Sequence, residues 1–356
     1  MFCLHTRLKA ICWLVIASAF FVAIDRDSAH AQTKLTMQAA TSAPGIGTTD
    51  FYVADKAGFL KEEGLQIEVR YATNASQAAQ IVASGGADFG RFAFDPVLQG
   101  YDKGLRLRSF YQYYRTLIYY LAVPPESPIK SIEDTKGRTI AVVNMGSAAV
   151  GVFRSMLRQA KMPLDSATLV PVGKADAGIA ALRAKRVDGF MFWNEVYSQI
   201  LASGVDLRFI KHPKLANVGS NGYFASDATL RDKKAAMTGF ARAIAKASVF
   251  IRANNEAAAK IYLGVNPEAG SPSDPETVKK VAQQIKFWSA DWVIDDAKEK
   301  YGENSLPNLK LYAEELQADG SLDNIPPLQD LITNDLISAV NDFDHARIVA
   351  AAQTWK

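Results

Sequence analysis

The sequence predicts an α/β protein of two lobes, each a sheet flanked by helices, joined by two chain crossings that form a hinge. Three observations carry this. Strand-like and helix-like spacings of apolar residues alternate through the first two thirds of the 356 residues. The alternation runs twice. Two connectors, LIYYLAVPPESPIKSIEDTKG and SNGYFASDATL, bracket a contiguous middle stretch. The predicted division is 32–123 plus 221–356 for the first lobe and 124–220 for the second.

In the first set, Leu35 to Ala40 alternates as a strand. Thr49 to Glu63 has helix spacing, with Phe51, Tyr52, Ala54, Phe59 and Leu60 near one face. LQIEVRY (Leu65 to Tyr71) alternates with period two. NASQAAQIVASGG is an Ala-rich helix, opened by an Asn or Ser cap and closed by Gly85-Gly86. ADFGRFAF is the third strand. In the second set, RTIAVVN, ATLVPV, VDGFMFW and LRFI read as strands, and SAAVGVFRSMLRQA and ADAGIAALRAKR as helices. After Ser226 the pattern turns mostly helical, through Arg231 to Leu263, Pro275 to Ser289, Leu309 to Ala318 and Leu328 to Asn341. The two sets echo each other. Asp88 and Asp188 each follow an Ala-rich helix and precede an aromatic strand. That separation suits two similar lobes and is too long for a solenoid period.

Residues 1–31 stand apart from the fold. Arg7 and Lys9 precede an apolar run from Ala10 to Ile24, and Ala29-His30-Ala31 fits the A-x-A rule. This predicts a secretory signal peptide cut after Ala31, because the run is short for a span of about 20 residues. Both cysteines, Cys3 and Cys12, lie inside it. The exported chain then has no disulfide and is held together by its core. The 40 basic and 37 acidic residues are interspersed, net +3, and argue against a nucleic-acid partner.

The segment FYVADKAGFLKEEGLQIEVR resembles the first helix–turn–strand of periplasmic substrate-binding proteins for ABC importers. The group is the nitrate/sulfonate/taurine and thiamine-pyrimidine-precursor (NMT1/THI5-like) family. IVASGGADFG, IKSIEDTKGRTIAV, GIAALRAKRVDGFMFWNE and GYFAS fit the same pattern in order, and LKLYAEELQADGSLDNIPPLQDLI resembles the family's C-terminal helices. The resemblance covers nearly all of the chain after residue 31. It implies a type II-like periplasmic binding fold and a small-molecule ligand in the interlobe cleft, without a cofactor. It further implies a periplasmic monomer that serves an inner-membrane permease and its ATPase. The family includes a pyrimidine-synthesising enzyme branch that looks reliant on a histidine and a cysteine-rich motif. A mature chain without cysteine favours binding over catalysis; an enzyme on the same scaffold, or a sensor subunit, is the alternative.

Ligands of open α/β sheets sit beyond the carboxyl ends of the strands. In the first lobe this rule selects Pro44 and Gly45, then Asn74, then Phe94 and Asp95. In the second it selects Asn144, Gly146 and Ser147, then Lys174 and Asp176, then Trp193, Asn194 and Glu195. Phe190 and Phe192 are assigned to the core. Ser147 and Asn74 stand where helices begin, where free N–H groups favour anions. Tyr113, Arg115 and Tyr223 join the candidates near the crossings, Arg115 as a bidentate anion holder. Aromatic candidates favour a flat heterocyclic or aromatic ligand such as a pyrimidine; Arg115, Lys174 and the helix starts favour a sulfonate or carboxylate.

Other chemistries lack their residues. GIGTTD after a strand has Asp50 where a dinucleotide fingerprint needs its third glycine. No H-E-x-x-H, cysteine cluster or G-x-S-x-G is present, so no metal or catalytic site is expected. His212, in a KHPK loop, and His345 are expected at the solvated surface.

Overall fold

Two five-stranded sheets organise the chain. The computed structural model describes residues 32–41, 44–173, 175–292 and 300–355. The expected signal peptide and Lys174 lie outside them. The first sheet starts with β1 (Thr33–Ala39), β2 (Leu65–Tyr71), β3 (Phe89–Ala93) and β4 (Arg108–Gln112). The second holds β5 (Tyr119–Val123), β6 (Thr139–Val142), β7 (Thr168–Pro171), β8 (Gly189–Trp193) and β9 (Arg208–Ile210), and β10 (Asn221–Ala225) returns to the first.

The orders are β2-β1-β3-β10-β4 and β7-β6-β8-β5-β9. They are one figure drawn twice: three parallel strands, an antiparallel fourth, then an edge. The Asp88–Asp188 echo has a physical basis in this figure. Asp88 accepts the Thr36 N–H at 2.7 Å and Asp188 accepts the Thr139 N–H at 2.8 Å. Each carboxylate thus joins the turn before a sheet's third parallel strand to the middle strand.

One strand differs in placement from expectation. Tyr119–Val123, assigned above to the first lobe, pairs with β8 and β9 in the second sheet. The chain therefore crosses before it, over 113–118, and returns over 211–220. These crossings lie side by side. The Tyr113 N–H donates to Asn221 O at 3.1 Å and the Leu117 N–H to Ala216 O at 3.2 Å. A Cβ on Gly219 would overlap the Tyr114 carbonyl, so this approach requires glycine.

The helix expected over 49–63 is two, α1 (Thr49–Lys56) and α2 (Phe59–Glu62), because Gly58 takes a φ of 82° between them. α3 (Ala75–Ala83) leads into β3, and α4 (Asp95–Gly100) follows it. α5 (Ala148–Gln159), α6 (Ala175–Arg183) and α7 (Asn194–Ala202) belong to the second sheet's connections. The tail begins with α8 (Asp227–Asp232), α9 (Lys234–Ala253) and α10 (Asn255–Val265). Asn254 divides the last two: it leaves helical angles and caps α10 by accepting the Ala257 N–H at 3.0 Å.

α11 (Pro275–Ser289), α12 (Leu306–Ala318), α13 (Ile337–Val340) and α14 (His345–Gln353) complete the tail. A helix expected over 328–341 is reduced to a 3-10 turn and α13. The intervening chain docks on β4 instead, with Ser109 N–H to Leu331 O at 2.7 Å and Thr333 N–H to Ser109 O at 2.9 Å.

α9 is buried along most of its length and covers the first sheet, where Phe240 meets Phe89 at 4.4 Å. In the second sheet, period two sends Phe190 and Phe192 to one face, against Tyr120 and Tyr197, and Met191 to the other. Burial of such side chains contributes about 1.5–3 kcal/mol each. Among the described residues, no helix is long and apolar enough to cross a membrane.

Candidate functional site

A cavity of about 770 Å³ opens across the carboxyl ends of both sheets. From the first come Ala39, Ala40 and Thr41 after β1, Thr73 to Ser76 after β2, and Ala93 and Asp95 after β3. From the second come Asn144 to Ala148 after β6 and Trp193 and Glu195 after β8. Tyr114, Ile118 and Tyr119, from the first crossing and β5, close one wall, and Leu316 and Ser321 from the tail reach the rim.

Two helices of different sheets start on this space. Asn74 caps α3 by accepting the Gln77 N–H at 2.9 Å, and Ser147 caps α5 by accepting the Ala149 N–H at 3.3 Å. Apart from the Val150 N–H, which bonds Ser147 O at 2.9 Å, the leading N–H groups of a helix have no carbonyl acceptor within it, and the helix dipole adds partial positive charge. Arg154 lies on the same face of α5 as Ser147, Val150 and Gly151, two turns in, and is exposed on the cavity wall.

Two carboxyl groups line the same cavity. Asp95 starts α4 and accepts the Tyr312 hydroxyl at 3.0 Å; burial pushes its pKa up to about 6, against that hydrogen bond. Glu195, in the first turn of α7, is also pushed up by burial. The Gly47 N–H, the Arg91 charge and the Trp193 indole pull it back. Arg91, on β3, is 3.3 Å from Asp50 and 4.0 Å from the Tyr113 ring centroid, and donates to Gly47 O.

Of the residues selected from sequence, Gly45, Asn74, Asp95, Asn144, Gly146, Ser147, Trp193 and Glu195 come together here. The others do not. Phe94 is buried edge-on against Phe224 at 4.8 Å; the chain turns into α4 there and only Asp95 faces the cavity. Tyr113 lies under Arg91, because β4 ends at Gln112 and Tyr114 takes the cavity side. Asn194 is fully buried, its amide donating to Asp291 at 2.9 Å and Trp288 O at 3.2 Å. Tyr223 is fully buried on β10, between β3 and β4, and donates to Asp50 at 3.0 Å. Arg115 binds the carbonyls of Lys300 and Glu303, so a structural bond takes the place of the expected anion. Asp176 is exposed in the first turn of α6, and Pro44 is exposed beside the turn; neither lines the cavity. Lys174 is outside the described residues.

Arg91, Tyr114, Tyr119 and Arg154 also line the cavity and are not among the residues selected from sequence. Arg91 had a signal, a lone charge among the aromatics of ADFGRFAF. Arg154 had a weaker one, its i+7 relation to Ser147.

His212 is buried, not solvated as expected. Its Nδ1 accepts the Lys214 and Leu215 N–H groups at 3.1 and 3.0 Å, and its Nε2 meets Ser155 Oγ at 2.9 Å. Ser155 donates its proton to Glu315 at 2.6 Å, so Nε2 carries the hydrogen and the ring is a neutral structural group.

Paired sheets of one topology, with a cleft across their carboxyl ends, define the class: a two-lobed α/β fold of the periplasmic-binding-protein type. The NMT1/THI5-like family profile matches residues 46–258, more than half of the chain, and the protein belongs to that family. Among solved structures, the periplasmic aliphatic sulphonate-binding protein SsuA of Escherichia coli is similar. It is 17% identical, with 84% of this chain and 92% of that one covered and a TM-score of 0.66. The alkanesulfonate-binding protein SsuA of Xanthomonas axonopodis pv. citri, bound to MOPS, is 16% identical, with 85% and 100% covered and a TM-score of 0.63. A 4-amino-5-hydroxymethyl-2-methylpyrimidine phosphate synthase of Aspergillus parasiticus is 24% identical over 265 residues, 68% of this chain and 75% of that protein.

Proposed function

We propose that this protein is an extracytoplasmic solute-binding protein of an ABC importer, holding a small organic anion with a flat body between two hinged lobes. A sulfonate or aromatic carboxylate fits this description. The lobes are the two sheets with their helices, and the side-by-side crossings are the hinge. One observation carries the reading: two helix starts, of α3 and α5, open onto one cavity from different sheets, with Arg154 beside one of them. Such ends favour an anion. Trp193, Tyr114 and Tyr119 line the same cavity and supply aromatic surface for its body. The named sulfonate-binding neighbours support the same class, and the leader predicted over residues 1–31 supports export to the periplasm.

The test is a thermal-shift and calorimetry panel of benzenesulfonate, MOPS, benzoate and a methylpyrimidine. A bound anion at a hundredfold excess over its Kd stabilises the fold by about 2.7 kcal/mol. Trp193→Ala is expected to weaken the best ligand about tenfold, the size of a stacking contact. An unchanged affinity would sink the site assignment.

The Aspergillus relative favours a second reading, an enzyme on the same scaffold. Product formed from a pyrimidine precursor by the purified protein would support it. Against it stands His212, whose ring nitrogens are both committed to the fold.

A further inference from the structure

Glu195 belongs to the second half of the molecule, where it follows β8, yet its partners come largely from the first. Its half-buried carboxylate packs against the backbone of Gly45 and Gly47, in the turn before α1. It lies flat on that turn. A Cβ on Gly45 would stand 2.5 Å from one carboxylate oxygen, and a Cβ on Gly47 2.5 Å from the other. Arg91, of the first sheet, holds the turn by donating to Gly47 O and adds its charge nearby. Two glycines and a buried cation thus form a seat for a carboxylate, and the protein's own side chain sits in it.

We propose that Glu195 is a closure latch, an internal anion that holds the two halves together. The role rests on the hinged-lobe reading above. A carboxylate seated on a backbone turn beside an arginine charge is held by electrostatic attraction, and this contact joins the second half to the first. Ligand entry then requires the latch to open, so the latched fraction slows association.

The test is small-angle X-ray scattering of the ligand-free protein and two variants, Glu195→Gln and Gly47→Ala. The first removes the charge and keeps the shape. The second leaves Glu195 intact and evicts it; Gly47 has no left-handed angle, so alanine changes only the space. Both are expected to open the molecule, raising the radius of gyration by roughly 5% over the ~20 Å of a compact chain of this length. Stopped-flow mixing with benzenesulfonate is expected to show association about tenfold faster than wild type. A radius unchanged in both variants overturns the latch, and if one variant folds poorly the other decides. If wild type binds no anion, the import reading fails, while the ligand-free scattering still decides the latch.

Discussion

Arg91→Met is expected to destabilise the protein by about 3–5 kcal/mol, the usual cost of removing one partner from a buried ion pair. Asp50 is fully buried, and its carboxylate faces Arg91 at 3.3 Å and the Tyr223 hydroxyl at 3.0 Å. Without the guanidinium, the Tyr223 hydroxyl is the one side-chain donor to that carboxylate among the described residues. Gly47 loses its carbonyl partner and Tyr113 the cation over its ring. The pair itself is weak evidence of net stability, since both charges were desolvated to form it. The double variant Arg91→Met/Asp50→Asn is therefore expected to recover most of the loss, because the uncompensated charge is gone and the Tyr223 bond can remain. Urea unfolding of the two variants decides. A double variant as unstable as Arg91→Met would show that the cost lies in lost packing around the long Arg91 side chain.

Arg91 also marks where the sequence stopped being legible. Strand periodicity and helix caps depend on near neighbours, and they placed β2 over Leu65 to Tyr71 and α11 over Pro275 to Ser289 where the structure has them. The loops beyond the carboxyl ends followed from that placement. Which way a side chain leaves such a loop depends on contacts far along the chain. Tyr113 and Tyr114 are adjacent, and only the fold puts one under Arg91 and the other on the cavity. Asn194 and Glu195 are adjacent too. α7 turns one toward Asp291, 97 residues on, and the other toward Gly47, far back along the chain. The 119–123 strand was misplaced for the same reason, since its pairing with β8 and β9 is long-range. Arg115 looked like an anion holder because guanidinium groups are; carbonyls of Lys300 and Glu303, remote in sequence, satisfy it.

His212→Gln and Asp95→Asn are expected to tilt the pH dependence of stability in opposite directions, each by about 3 kcal/mol at most. Burial lowers the His212 pKa to about 4 from an ordinary 6.5; Glu315 opposes the shift, while Lys214 and Arg158 add to it. Protonation would put a hydrogen on Nδ1, facing the two N–H groups that donate to it. The stability this neutral ring contributes is complete above pH 6.5 and lost as pH falls through about 4. Asp95 runs the other way. Burial raises it from 3.8 to about 6, so its contribution is complete below pH 3.8 and lost as pH rises through 6. Between pH 4 and 6 the two largely offset each other in the wild-type protein. With His212 replaced, acidification from pH 7 to 4 is expected to raise the urea midpoint relative to wild type; with Asp95 replaced, to lower it. Variants that both track the wild-type curve would show that neither group titrates as its surroundings dictate. Asp95 carries the functional consequence, because it faces the cavity. A protonated carboxyl there neither repels an anionic solute nor leaves the Tyr312 hydroxyl without a partner. Benzenesulfonate is therefore expected to bind more tightly at pH 5 than at pH 7.5, and Asp95→Asn to remove most of that difference.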